Sequence, residues 1–487
     1  MKARFTTLSL AVLFASLAVC HGAQILGSAS AFPGSTAFIS FVQLDISDLT
    51  AVKNAEFQIA PKSGSATRPI DVKYSRHYLQ SRGYLNRDLS QLTVPVFGLY
   101  EGRGNHVTIT VGFRDGTSQV TTLNIRTAAY DGGTYSNPTV IQPRLAGTTL
   151  SYDFILLKSY ADPTTPMVID SDGEIRWIGT ANVSSQPSAL FDNAFYLTSG
   201  ASLLRTEFDG VTTTVANYSS LGVTGFHHNI DPGKTGMVLD ADTTTQTESV
   251  NLEVDKNGVL LKTWNLADII SAAMTAGGDD PTLFVKPAPI DWFHNNATAY
   301  RKADNSLIVS SRENFVIAID YDSGAIKWIL GDPTKYWHQF ASLRAFELTL
   351  GVDTLPPIGQ HAVSMPADKL LLFDDGTGSN YQNPPGETRT YSATRKYRIN
   401  TTARTATEIY HYLADPSIYS PYCSSVYEDT PNNYLIDYTL GGPYIFTGIV
   451  GLDDQGNKAF DYHYDELDFC GTAWNASILH WENLQLK

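Results

Sequence analysis

Hydrophobic and polar positions alternate in short runs along nearly the whole chain. Between residues 24 and about 140 the runs are "AFISFVQLDI", "AEFQIAP", "TVPVFGLYEG", "NHVTITVGFRDG" and "VTTLNIRTA", with Gly, Asp and Asn at the breaks. A period of two marks strands with one buried face, and these turn residues end them. No 3.6-residue stripe interrupts the series. The pattern predicts a small antiparallel β-sandwich over 24–140, with "AAYDGGTYSNPTVIQP" as the linker leaving it.

From residue 145 to 487 the alternation becomes a loose repeat. Its constant part is an apolar strand, a turn around Asp/Asn and Gly, and a second strand often closing on an aromatic. It recurs as "MVIDSDGEIRWI", "LLRTEFDGVTTTVANY", "NLEVDKNGVLLKTW", "VIAIDYDSGAIKWIL", "KYRINTTARTATEIY" and "VGLDDQGNKAFDYHY". One further strand precedes each: "YDFILLKS", "AFYLTSG", "GMVLDAD", "SLIVSSR", "LLLFDDG" and "YLIDYTL". With an inner strand added to each, these make six four-stranded units. A single unit cannot bury both faces, so the units must stack, and closing them in a ring protects their edges. The expected fold is all-β: the sandwich, then a six-bladed β-propeller. An open sandwich with many hairpins is the plainer alternative. Only "NLADIISAAMTAGG" and "KYWHQFASLRAFELTL" read as short helices.

Composition agrees with strands: 26 Tyr, 22 Phe and 7 Trp accompany plentiful Gly, Thr, Ser and Asp. A net charge of −15 supplies no general field for nucleic acid or an anionic membrane, and no Lys/Arg-rich patch opposes it. The start, "MKARFTTLSLAVLFASLAVCHGAQ", has a basic head, an apolar stretch too short to span a bilayer and then small residues. That is the pattern of an export signal over residues 1–23. "LAVC" faintly resembles a lipoprotein cleavage box at Cys20, although Val19 fits it poorly. No later segment reads as a membrane span. Beyond the signal, two cysteines remain, Cys423 and Cys470, and in an oxidising compartment they are candidates for one disulfide.

Three histidines stand at the same point of successive units. "TGFHHNID" precedes "GMVLDAD", "IDWFHNNATAY" precedes "SLIVSSR", and "IGQHAVSM" precedes "LLLFDDG". His228 (with His227 beside it), His294 and His361 are therefore expected at one mouth of a central channel. Arg312 ends the strand after His294, so a tight turn returns it to the same end. The next equivalent stretch, "SPYCSSVYED", offers Tyr422 and Cys423. Phe293, Trp292, Tyr300 and Tyr422 are candidates for an aromatic rim. His338, His411, His463 and His480 lack the coincidence and read as structural, and the acidic runs "DADTTTQTE" and "DDGTGSN" read as solvated loops. Three neutral imidazoles could bind a metal, but the arginine would repel a cation and no carboxylate clearly belongs to the cluster. An oxyanion suits a guanidinium fork and imidazolium donors better, with one imidazole left as nucleophile or base.

"DWFHNN…SLIVSSR…IDYDSGAIKWILG", "GQHA…LLLFDDG", "PMVIDSDGEIRWI" and "TVPVFGLYEGRGNHVTITV" together resemble the PAPS-independent bacterial arylsulfate sulfotransferases, from about residue 25 to the C-terminus. The resemblance implies a sandwich followed by a six-bladed propeller, exported to the periplasm. It implies sulfuryl transfer from a phenolic sulfate ester to a phenolic acceptor, by a ping-pong route through a sulfohistidine, without PAPS or a metal. Carried over, His361 matches the nucleophile, and His294, Arg312 and His228 its companions, with His227 left open. A homodimer is a family-level expectation. The near-local disulfide of the best-known members has no counterpart in spacing, so a Cys423–Cys470 bridge does not come from the resemblance. Two rivals stay open: a propeller metalloenzyme using the three histidines, and a non-catalytic propeller that binds sulfated or phenolic ligands.

Overall fold

The computed structural model describes residues 22–132, 135–159, 166–183, 186–466 and 469–487. The expected signal over 1–23, including Cys20, lies outside the described residues except for Gly22 and Ala23. No helix among the described residues is long and apolar enough to cross a membrane.

The chain is all-β with few helices. Its N-terminal part forms two sheets. Strands Ile25–Pro33, Ile39–Ile46, Gln91–Phe97 and Leu85–Asn86 make one; Ile70–Ser75, Val52–Ile59, Gly104–Phe113 and Ser118–Arg126 make most of the other. Alternate residues of both, among them Val42, Leu44, Val94, Phe57, Val72 and Ile109, are buried in one apolar core. The period-two reading matches the burial along Val52–Ile59, where Ala55, Phe57 and Ile59 are buried and Glu56 and Gln58 between them are more exposed. One turn of helix, Arg76–Ser81, went unseen in the pattern because it is only six residues long, capped by Ser75 Oγ on Tyr78 N–H.

Six further sheets follow, and all twelve predicted strands and hairpins are present in them. Each sheet gains a leading strand, successively Ser188–Phe191, Val223–Pro232, Asn295–Arg301, His361–Ser364 and Ser425–Glu428. The sheet of Phe154–Lys158 receives its leading strand from far along the chain: Asn475–Leu479 pairs antiparallel with it. Each leading strand from Ser188–Phe191 onward packs against the next. The aromatics that close the outer strands tie sheet to sheet. Trp177 Nε1 donates to Phe208 O and Trp264 Nε1 to Tyr321 O, both at 3.1 Å.

Two pairings were not legible locally. Thr139–Gln142, within the stretch read as a linker, pairs with Lys458–Asp465, and Leu484–Leu486 runs parallel to Ile70–Ser75 in the N-terminal part. Trp481, fully buried, packs on Phe97 and Phe154 and so joins both parts. The two predicted helices are found as Leu266–Ala276, capped by Asn265, and as a 3-10 turn Tyr336–Gln339 followed by Ala341–Arg344.

Candidate active site

The predicted coincidence of three histidines has a backbone cause. A β-bulge interrupts the leading strand at each point: between His227 and Ile230, between Asn295 and Ala297, and between His361 and Ser364. A bulge re-aims a side chain at a strand end. His228 and His294 themselves, and Ala362 beside His361, have φ of 51°, 54° and 53°, a left-handed conformation that costs non-glycine residues about 1–2 kcal/mol each. Cys423, φ 63°, occupies the equivalent place in the next sheet. Short polar links fix the sheets in register here. Arg312 N–H donates to His294 O at 3.0 Å, as the expected tight return requires, and Asn296 Nδ2 donates to Gln360 O at 2.8 Å.

These residues line one cavity of about 670 Å³. The imidazoles of His228 and His294 are 4.8 Å apart between centroids, and those of His228 and His361 6.2 Å. Arg312 is 2% exposed, Nη1 bonded to Glu313 at 2.5 Å, its plane 4.7 Å from the Tyr422 ring. Its Nε and Nη2 are buried and have no partner among the described residues. A buried donor left unpaired costs about 1–3 kcal/mol, so these two N–H groups are poised for an acceptor in the cavity. A second cavity of about 660 Å³, in the N-terminal part, gathers no such cluster.

The structure overturns one expectation about charge. Carboxylates do belong to the cluster, and several of them come from the two acidic runs read as solvated loops. Asp240 and Glu248 are 4% and 6% exposed, and Asp374 and Asp375 are fully buried. Glu248 reaches three histidines: His227 Nδ1 at 3.0 Å, His294 Nδ1 at 3.1 Å and His228 Nδ1 at 3.5 Å. Asp291 bonds His294 Nδ1 as well. Asp375 Oδ2 lies 2.7 Å from His361 Nδ1, and Gly359 O lies 3.1 Å from the same nitrogen. A carbonyl can only accept, so Nδ1 of His361 carries the proton and Nε2 keeps its lone pair.

The histidines therefore divide. Burial would push His294 down, but the Glu248 charge and the Asp291 hydrogen bond hold it at about 9. Burial likewise opposes His227, and its bonds to Asp242 and Glu248 raise it to about 11. His361 is driven well below its ordinary value by burial and then by Arg312 and His294. His228 is lowered by burial and by its histidine neighbours. At neutral pH two imidazolium ions and a guanidinium face two neutral imidazoles.

The aromatic candidates separate too. Tyr422 lines the cavity, its ring 5.4 Å from Phe469. Phe293 does not: it is fully buried in an apolar core with Trp292 and Phe315. Trp292 shares that core, and Tyr300 packs on Tyr321 outside the cavity. His338, His411, His463 and His480 each pair with a nearby carboxylate elsewhere. Cys423 and Cys470 form a disulfide in the cavity wall. Sequence reasoning missed Glu248, Asp291, Glu313, Asp375, Tyr381, Tyr444 and Phe469; Asp291 and Glu313 stood inside the motifs that carry His294 and Arg312.

The model of the arylsulfotransferase (ASST) family matches residues 140–459, and that of the arylsulfotransferase Ig-like domain matches 45–128. The chain belongs to the arylsulfotransferase family. Its N-terminal part is the family's Ig-like domain. Arylsulfate sulfotransferase AssT of Escherichia coli O6:H1 is 26% identical over 264 residues, 45% of this chain and 42% of that one. The protein of the same name from Lelliottia amnigena is 26% identical over 266 residues, with the same coverage. The matched region thus spans less than half the length of these curated relatives. Among solved structures, Sqt1 of Saccharomyces cerevisiae aligns with 77% of this chain and 86% of its own at 8% identity, with a TM-score of 0.33, too loose a likeness to bear on the fold.

The three nitrogens of His228, His294 and His361 lie within 4.8 Å of one another, close enough for a metal ion. The protonated His294 and the adjacent Arg312 make the same space favourable to an anion.

Proposed function

We propose that this member of the family transfers a sulfuryl group from an aryl sulfate to a phenol, by a ping-pong route through a sulfohistidine on His361. The observation that carries the reading is the buried Arg312 guanidinium with two unpaired N–H groups, facing the same cavity as a neutral His361 whose Nε2 is free to attack. The frame is a six-bladed propeller over residues 145–487 behind the sandwich at 24–140. Six sheets of four or five strands, each leading strand from Ser188–Phe191 onward on the next, and the pairing of Phe154–Lys158 with Asn475–Leu479 support it. We assign export to an oxidising compartment such as the periplasm, in keeping with the disulfide.

In the donor half-reaction Arg312 Nε and Nη2 hold the sulfuryl oxygens, with His228 alongside. His361 Nε2 forms the S–N bond as the S–O(aryl) bond breaks, and protonated His294 gives its proton to the departing phenolate oxygen. Like phosphoryl transfer, such a reaction is dominated by positioning and charge stabilisation. A second phenol then reverses the sequence: its oxygen takes the sulfur, His361 leaves, and His294 recovers a proton. His228, buried against His294 and His361, fits the set better than His227, both of whose ring nitrogens are taken by carboxylates. Tyr422 and Phe469 offer faces for an aryl ring. No step needs PAPS or a metal.

The test is nitrophenol release from 4-nitrophenyl sulfate by purified protein, with and without phenol. Release that rises with phenol, with phenyl sulfate formed, is expected; release indifferent to phenol makes the protein a hydrolase. The competing metal reading predicts a stoichiometric ion in the purified protein and loss of activity with chelators.

A further inference from the structure

We propose that Glu313 is a positioning residue that sets the direction of the Arg312 fork and, through the loop at 379–382, ties the sulfuryl end of the cavity to its aryl end. The proposal rests on the sulfuryl-transfer reading and adds to it the residues that fix donor geometry and donor choice.

Glu313 is 3% exposed, and both of its oxygens are in use. Oε1 accepts from Arg312 Nη1 at 2.5 Å. Oε2 accepts from Ser379 Oγ and, at 2.9 Å, from Tyr381 N–H. The loop that supplies these two donors has no helix or strand, so its anchors decide its path. Ser379 and Gln382 are buried pegs: Gln382 N–H donates to Ser379 Oγ at 2.7 Å, and its side chain to Trp292 O at 3.3 Å. Between the pegs Asn380 and Tyr381 are exposed and line the cavity. Asn380 Oδ1 accepts from the Tyr422 hydroxyl at 3.3 Å, and the Tyr422 ring lies 4.7 Å from the Arg312 guanidinium. The contacts close a ring: Arg312, Glu313, the loop, Tyr422 and Arg312 again.

A guanidinium is planar, so one tied corner and one covered face leave it a single orientation. Nη1 goes to Glu313 and the face to Tyr422. Nε and Nη2, the two unpartnered donors, form the edge that remains, and they offer parallel N–H groups to two oxygens of a sulfuryl group. Turning the plane would give up the Glu313 bond. The same carboxylate holds the loop beside the place where the donor's aryl ring has to lie. A ring that displaces residues 380–381 therefore pulls on Oε2, and through it on Arg312. Fit at the aryl end is felt at the sulfur, so donors of different breadth should differ in kcat and not in KM alone.

The experiment measures nitrophenol release from one-ring 4-nitrophenyl sulfate and coumarin release from two-ring 4-methylumbelliferyl sulfate. The proteins are the wild type, E313Q, E313D, R312K, the double variant R312K/E313Q and S379A, each with its melting temperature. E313Q is expected to lose on the order of 10²-fold in kcat, the cost of misplacing a positioned group by about 1 Å. E313D keeps the charge but shortens the reach, and should lose about as much; a residue needed only for charge balance would be rescued by it. Because Glu313 works through Arg312, R312K/E313Q should match R312K alone within about threefold. S379A removes one loop anchor and leaves the Arg312–Glu313 bond, so it should shift the kcat ratio of the two donors by about 3- to 10-fold. It also keeps the test open if the Glu313 variants do not fold. Additive losses in the double variant, E313D at wild-type rates, or an S379A donor ratio within about twofold of the wild type overturn the proposal and leave sulfuryl transfer standing. No release from either donor by the wild type overturns the transfer reading and the proposal with it.

Discussion

Replacing Asp375 with Asn tests how the nucleophile is held. Oδ2 of Asp375 accepts from His361 Nδ1 at 2.7 Å; the aspartate is fully buried and the histidine 2% exposed. Burial raises the Asp375 carboxyl well above its ordinary range, but as sulfur bonds to Nε2 the ring becomes cationic and favours the ionised form, whose hydrogen bond strengthens while an amide gains little. A hydrogen bond involving a charged group is worth about 1.5–3 kcal/mol, which at 1.4 kcal/mol per tenfold predicts a loss of roughly 10- to 150-fold in the rate of sulfuryl capture. The loss should stop there, because Gly359 O still holds the Nδ1–H tautomer. The assay is the pre-steady-state burst of nitrophenol from 4-nitrophenyl sulfate, which isolates the first half-reaction, with the melting temperature as a check on folding. A D375N burst within about twofold of the wild type would refute the positioning argument. A loss beyond about 10⁴-fold would show that Gly359 cannot keep the tautomer alone.

Arg312→Lys removes the two unpaired fork donors while keeping charge, and nitrophenol release should fall on the order of 10²–10³-fold, mostly in kcat. Phe293→Ala should cost about 3–5 kcal/mol of stability by chemical denaturation with KM nearly unchanged, whereas Tyr422→Ala should raise KM for aryl sulfates with little change in stability. Reducing Cys423–Cys470, which closes a span of 47 residues, should lower stability by up to about 4 kcal/mol in denaturant titrations with and without dithiothreitol. His294 is raised from 6.5 to about 9 in the folded protein, so its contribution is fully present below about pH 6.5 and is lost as pH rises through 9. The melting temperature should therefore drop over that interval, and less steeply in D291N.

Much of this architecture was legible because its signals are local. Hairpins such as "MVIDSDGEIRWI" carry period and turn within a dozen residues, and the three histidines share a position within their units. What escaped depends on distance. Asn475–Leu479 joins Phe154–Lys158 across most of the chain, and no pattern in either strand names the other. Glu248 and Asp375 sit in runs of Asp, Thr and Gly whose composition suits a solvated loop; only the fold shows that those loops dive between sheets to meet the histidines. Phe293 was placed at the rim because it adjoins His294, but its ring joins the apolar core with Trp292 and Phe315.

The pairing of Phe154–Lys158 with Asn475–Leu479, followed by Leu484–Leu486 beside Ile70–Ser75, sets a timetable for making the protein. At roughly 5–20 residues per second a ribosome delivers the second partner on the order of 15 to 60 s after the first. During that interval the strand at Phe154–Lys158 has an open edge, the kind of surface that recruits foreign strands. The strands Asn475–Leu479 and Leu484–Leu486 act as a latch that engages only after every strand between them and their partners has been made. A substitution there should show itself in yield and aggregation during production before it shows in the turnover of whatever protein has managed to close.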